Sequence, residues 1–178
     1  NVYIAGSTTS STGIASGGYQ NVLGGLSDGF ITKFNSTGAR LWSTYFGGTG
    51  DEAINGMAIN SSSELVIGGT TSSSAAIASG GYKLTYSGNT DCFIAKFNLS
   101  GSIIWSTYYG GTGAESDGAV TFDKWGNIYI VGTTSSTTGI AYSGLVNTYQ
   151  GGIDDGFYAK FDGSGSLTTP VGTFTNVL

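Results

Sequence analysis

The stretch WSTYFGGTGDE runs from Trp42 to Glu52, and WSTYYGGTGAE runs from Trp105 to Glu115, 63 positions later. A catalytic motif is needed once. A packing unit that must meet its neighbour needs the same residues every time, so this echo points to an array of like modules. Aligned on itself, the chain yields three copies spanning roughly 1–63, 64–126 and 127–178, which we read as one segment over 1–178. NVYIAGSTTS, ELVIGGTTSS and NIYIVGTTSS place Gly6, Gly69 and Gly132 in equivalent positions. DGFITKFN, DCFIAKFN and DGFYAKFD follow from Asp28, Asp91 and Asp155. The third copy then decays, with Thr169-Pro170 where the others have Trp-Ser.

Each conserved piece alternates with period two. Phe30, Thr32 and Phe34 fall on one face of a strand and Ile31 and Lys33 on the other. Apolar residues occur on both faces, so the strands are expected in sheets covered on both sides. NSTG, NLSG and DKWGN supply Asn, Asp and Gly for tight hairpins, and INGMAIN and DGAVTFD supply a further strand per copy. No helical period is visible. The expected fold is all-β, with about eleven strands in about three four-stranded antiparallel β-propeller blades, as an incomplete ring or fragment. If INGMAIN and DGAVTFD are inner strands, the chain starts at a second strand and its first blade lacks the inner one. Pro170 cannot donate to a ladder, which puts its strand at an edge or in a tail.

These linked motifs resemble the SBBP family of bacterial β-propeller repeats. The resemblance is carried by the Asp-x-Phe-hydrophobic-x-Lys strand, the Ser-Thr-Tyr-x-Gly-Gly segment and the Gly-Asn-x-Tyr strand. It covers all but about the last dozen residues. One departure is Ile14-Ala15, Ile77-Ala78 and Ile140-Ala141, where such repeats often have Phe-Pro after the Thr-Ser run. The resemblance implies an extracellular or cell-surface bacterial setting, often in large secreted proteins, and no known reaction.

Function is constrained mainly by exclusion. The 178 residues hold six basic and eleven acidic side chains, net −5, with no basic run and no histidine. A phosphate-binding surface for nucleic acid is not expected, nor are imidazole bases or zinc sites. No apolar run is long enough to cross a membrane. The start Asn-Val-Tyr-Ile reads as a processed form or an excised piece of something longer. The sole cysteine, Cys92, aligns with Gly29 and reads as a small buried filler rather than a reactive thiol.

Asp28, Asp91, Asp154-Asp155, Asp51-Glu52, Glu115 and Asp117 recur around turns. They could be calcium ligands or glycosidase carboxylates. Their repetition favours capping of loop amides instead, so no metal, cofactor or catalytic residue is expected. Lys33, Lys96 and Lys160 are expected to lie along a sheet face and reach water or a carboxylate, with Asn60 and Asp123 at the strand ends as partners. Trp42, Trp105, Tyr45, Tyr108 and Tyr109 read as packing residues. The inserts of about twenty residues after each Thr-Ser run are long, polar and unlike between copies. Their tyrosines, Tyr19, Tyr82, Tyr86, Tyr142 and Tyr149, are the ligand-binding candidates, while the short-turn side is expected to be inert.

The function expected is a non-enzymatic surface module for adhesion or protein or glycan binding, its partners being such surfaces or further copies of itself. The alternatives are a structural spacer in a large surface filament, and a glycan-active hydrolase domain or subunit.

Overall fold

The computed structural model describes residues 1–141 and 148–174, with side chains through residue 168. Among these, the chain is all-β. Its eleven strands are β1 (Val2–Thr8), β2 (Asp28–Phe34), β3 (Arg40–Phe46), β4 (Glu52–Ile59), β5 (Leu65–Thr71), β6 (Asp91–Phe97), β7 (Ile103–Tyr109), β8 (Glu115–Phe122), β9 (Ile128–Thr134), β10 (Asp155–Phe161) and β11 (Leu167–Phe174). They form three antiparallel sheets, ordered β1-β2-β3, β4-β5-β6-β7 and β8-β9-β10-β11, none closed into a barrel. No helix among the described residues is long and apolar enough to cross a membrane.

Two local rules build the hairpins. At four of the five short turns an Asn or Asp side chain accepts amides two and four residues on, and at the fifth Asn60 accepts only Glu64 N; Asn98 Oδ1 takes Ser100 N and Ser102 N, both at 3.0 Å. The fourth turn residue is left-handed, as at Gly38 and Gly101, both with φ 81°. Ser63 holds that conformation in the β4–β5 turn, which has no glycine.

Period-two alternation then fills two cores, one on each side of the middle sheet. Leu65, Ile67, Phe93, Ala95 and Phe97 meet Ile31, Trp42 and Phe46 of the first sheet. Val66, Cys92, Ile94, Trp105 and Tyr109 meet Ile128, Ile130, Phe157 and Phe161 of the third. All seven residues of β6 are buried, as two-sided apolar patterning requires.

The two junctions are copies of each other. Trp42 Nε1 and Lys33 Nζ donate to Leu99 O at 3.0 and 2.9 Å, and Trp105 Nε1 and Lys96 Nζ donate to Gly163 O at 3.1 Å each. Phe46 packs on Phe93 and Phe97, and Tyr109 on Phe157 and Phe161. The aromatic residues of the repeated motif are thus inter-sheet joints, with Trp42 and Trp105 only 5% and 3% exposed.

Two details correct the sequence reading. Lys96 pairs with Glu64 at 3.0 Å rather than with Asn60, whose side-chain amide donates to Glu64 instead. The cause is the turn, which brings Glu64 back to the strand end where Asn60 anchors it. Lys160 does approach Asp123, at 4.0 Å. Pro170 falls in β11, which pairs only with β10, and the β10–β11 register is irregular beside it.

Candidate functional site

Antiparallel order sends the three long inserts and the β3–β4 and β7–β8 crossovers to one end of the sheets, and all five short turns to the other. Where the first two inserts fold along the outer strands, a cleft opens over each junction. The first, about 410 Å³, is lined by Tyr19, Gln20, Gly24, Gly47, Gly48 and Ala76. The second, about 390 Å³, is lined by the equivalents Tyr82, Lys83, Gly110 and Gly139, with Tyr109 and Ile140.

The first two inserts are held by the outer edge strands. Ser16 N and O exchange hydrogen bonds with Ser43, and Tyr45 N donates to Gln20 O. Ser79 and Ser106, and Tyr108 and Lys83, repeat the arrangement in the second copy. This pairing covers the edges of β3 and β7 and fixes the tyrosine that follows. Tyr19 then lays its ring against Phe97 of the middle sheet, and Tyr82 lays its ring against Phe161 of the third. Each remains about half exposed, so one edge serves the junction and the other faces solvent.

Beneath each cleft lies a pair of buried carboxylates from neighbouring sheets. A side chain at Gly47 would run into Asp28 and Glu52 together, and one at Gly110 would run into Asp91 and Glu115. Glu52 accepts Gly48 N at 2.8 Å and the Thr71 hydroxyl at 2.5 Å. Glu115 accepts Gly111 N, Thr134 Oγ1 and Ser136 Oγ. Asp28 accepts Gly24 N, Gly25 N and Gln20 Nε2. Burial raises Glu52 and Glu115 above the ordinary carboxylate value; the hydroxyl and amide donors oppose this, and the charge of the paired aspartate adds to it.

The clefts differ in their floor. Gln20 bridges Asp28 and Gly47 N in the first. Lys83 replaces it in the second, 3.4 Å from Asp91 and donating to Gly110 O and Ser87 Oγ. Burial raises Asp91, and the Lys83 charge opposes that rise. One cleft therefore offers an uncharged amide and the other an ammonium, beside the same phenol and glycine backbone. Each can hydrogen-bond and stack on a polar ligand. The carboxylates below are closed from solvent.

Of the other sequence candidates, Tyr86 packs on Tyr108 and donates to Asn89 O, bracing its own insert. The Tyr149 hydroxyl sits against the carbonyls of Gly152 and Ile153. Tyr142 lies outside the described residues. Asp28, Glu52, Asp91, Glu115 and Asp155 accept turn and crossover amides, and no cluster of three or more metal-ligating side chains occurs among the described residues. Cys92 is fully buried.

Sequence reasoning missed Trp125. It stands at the apex of the β8–β9 turn, 76% exposed, with Lys124 Nζ 4.4 Å from its ring, beside a depression lined by Ile59, Asn60 and Phe122. The signal was available, since DKWGN has tryptophan where NSSSE has Ser62. No family model matches the chain, and no curated protein matches it.

Proposed function

We propose that the sheets are β-propeller blades and that the chain is a non-enzymatic binding module, docking a protein or glycan surface at its long-insert end. The observation that carries this is the cleft repeated over each junction. Its half-exposed tyrosine is constant, whereas its floor changes from Gln20 to Lys83 and its rim changes with the inserts. A constant scaffold with variable rims suits recognition of a polar surface by stacking and hydrogen bonding. The burial of the Asp–Glu pairs, each residue 2% exposed or less, supports a structural role for them. The resemblance of the quoted motifs to SBBP repeats supports a secreted or cell-surface bacterial setting.

The test is attachment to cells and to glycan arrays by the chain and by Tyr19→Ala/Tyr82→Ala and Lys83→Gln variants, each checked by circular dichroism. Loss of attachment by folded variants is expected. Full attachment by a folded double variant would refute the reading, and no attachment by the wild-type chain would leave the spacer ahead. Trp125 supports a second reading, in which the short-turn end binds. Trp125→Ser, which installs the residue that the first copy has there, Ser62, would then abolish attachment while the tyrosine variants retain it.

A further inference from the structure

Five of the six basic side chains already have oxygen partners. Lys33 and Arg40 donate to backbone carbonyls, and Lys83, Lys96 and Lys160 meet Asp91, Glu64 and Asp123. Lys124 is the exception. Among the described residues no oxygen meets its ammonium, which lies 4.4 Å from the centre of the Trp125 ring. Trp125 stands apart too, because Trp42 and Trp105 are buried joints whereas it is 76% exposed. The one unpaired basic side chain and the one exposed indole are therefore neighbours, at the short-turn end of the sheets.

The turn fixes where the indole stands. Asp123 Oδ1 accepts Trp125 N and Asn127 N at 2.9 Å each, its Oδ2 accepts Asn127 Nδ2 at 2.7 Å, and Gly126 is left-handed with φ 86°. Beside it lies the depression of about 470 Å³, within the roughly 300–1,000 Å³ of small-ligand pockets. Both walls are internal turns of the chain. The β4–β5 turn supplies Ile59, Ser61 and Ser62, and the β8–β9 turn supplies Phe122, Lys124 and Trp125. The Ser61 and Ser62 hydroxyls make no hydrogen bond among the described residues, which leaves both for a ligand. Of the carboxylates nearby, Asp123 is held by Asn127 and Lys160, and Glu64 by Asn60 and Lys96, so neither claims Lys124.

We propose that this depression is a subsite for a carboxylated pyranose, the uronic acid unit of an acidic glycan. The indole takes the C–H face of the sugar ring, Lys124 takes the carboxylate, and Ser61 and Ser62 serve the sugar hydroxyls. A cation–π contact at an exposed site is weak, so the ammonium exchanges the indole for the carboxylate and leaves that face to the sugar. A single free ammonium suits one carboxylate and not a run of phosphates. The proposal rests on the short-turn reading above and names its ligand; the long-insert clefts play no part in it.

The probe is tetragalacturonate, with the uncharged galactose tetramer as control. Binding to the intact chain is followed by tryptophan fluorescence and by isothermal titration calorimetry. Because Trp42 and Trp105 are buried, a change in acrylamide quenching reports on Trp125. Saturable 1:1 binding of tetragalacturonate with reduced quenching is expected, at least about tenfold tighter than the neutral tetramer and weakened by salt. Lys124→Gln should bring the two ligands level, and Trp125→Ser should abolish the calorimetric binding of both. Tyr19→Ala/Tyr82→Ala should bind as wild type does, and every variant should keep the wild-type dichroism spectrum. The proposal would be overturned by no saturable binding to wild type, by equal affinity for the two ligands, by unchanged binding in Trp125→Ser, or by loss of binding in the folded tyrosine variant. Loss of cell attachment by Trp125→Ser, with no tetragalacturonate binding to wild type, would overturn the ligand assignment and leave the short-turn reading standing.

Discussion

Gly38 and Gly101 occupy the same position of the same turn with the same φ of 81°, and differ in one respect. A Cβ at Gly38 meets nothing within 4 Å, while one at Gly101 lies 2.7 Å from Trp42 Cδ2 and 2.9 Å from Cε3. Alanine at either site incurs the left-handed penalty of roughly 1–2 kcal/mol, partly offset by about 0.4–1 kcal/mol of lost unfolded-state freedom. Gly38→Ala should therefore destabilise by about 1 kcal/mol. Gly101→Ala adds overpacking, because carbon atoms rest at about 3.5–4.0 Å. The indole cannot retreat, since it is buried and its N–H is held on Leu99 O at 3.0 Å. Overpacking typically costs about 1–3 kcal/mol, giving about 2–4 kcal/mol for Gly101→Ala. Urea denaturation followed by far-ultraviolet circular dichroism measures both variants, with and without Trp42→Ala, itself expected to cost about 3–5 kcal/mol. Once the ring is gone, Gly101→Ala should fall to the cost of Gly38→Ala. Equal costs in the wild-type background, or a Gly101→Ala cost that Trp42→Ala leaves unchanged, would refute the idea that indole-on-glycine contact joins the sheets.

Glu52 and Glu115 hold protons in the folded chain between the ordinary value of 4.5 and their raised folded values, where the unfolded chain has lost them. Their contribution is therefore fully present below that window and declines as pH rises through it; Glu52→Gln/Glu115→Gln should flatten the stability–pH curve there, as read by denaturation at several pH values. Lys83→Gln should be nearly neutral, because Gln20 already serves Asp28 in the first copy, whereas Lys83→Met should cost roughly 3 kcal/mol by stranding Asp91; equal melting temperatures for the two variants would contradict this. Burial raises the Cys92 thiol well above its ordinary value, with the nearby carboxylates adding to the rise; iodoacetamide should label it only on unfolding, and rapid labelling of the native chain would show an open path to it.

The strands were readable because their two-sided period-two pattern stops at Asn–Gly turns, as at Phe30–Phe34 before Asn35. The repeat made the joint residues readable as well, since Trp42 and Trp105 recur where a catalytic group would not. Their acceptors were hidden. Leu99 O and Gly163 O are backbone atoms more than fifty residues away, and nothing in the side chains there announces them. Lys96 found Glu64 rather than Asn60 for a similar reason, as the turn and not the strand decides which oxygen reaches the strand end. At the candidate site, Tyr19 and Tyr82 stood out as aromatics in polar inserts, but their packing on the next sheet depends on the Ser16–Ser43 and Ser79–Ser106 pairing. The meeting of Asp28 with Glu52 was illegible because the crossover, through Gly47, folds two separately unremarkable caps onto one another.

The sheets are out of phase with the sequence copies. β4 and β8 end the first and second copies, yet each is the first strand of the next sheet. A gene segment of one copy thus encodes three strands of one layer and a tongue that completes its neighbour. Duplicating such a segment adds a layer already stitched to the one before it, and no new linker has to be invented. Cutting at a copy boundary has the opposite result, leaving a tongue without its layer on one side and a layer without its tongue on the other. Growth by tandem duplication is therefore easy for this architecture, and excision of a single self-sufficient layer along copy boundaries is not.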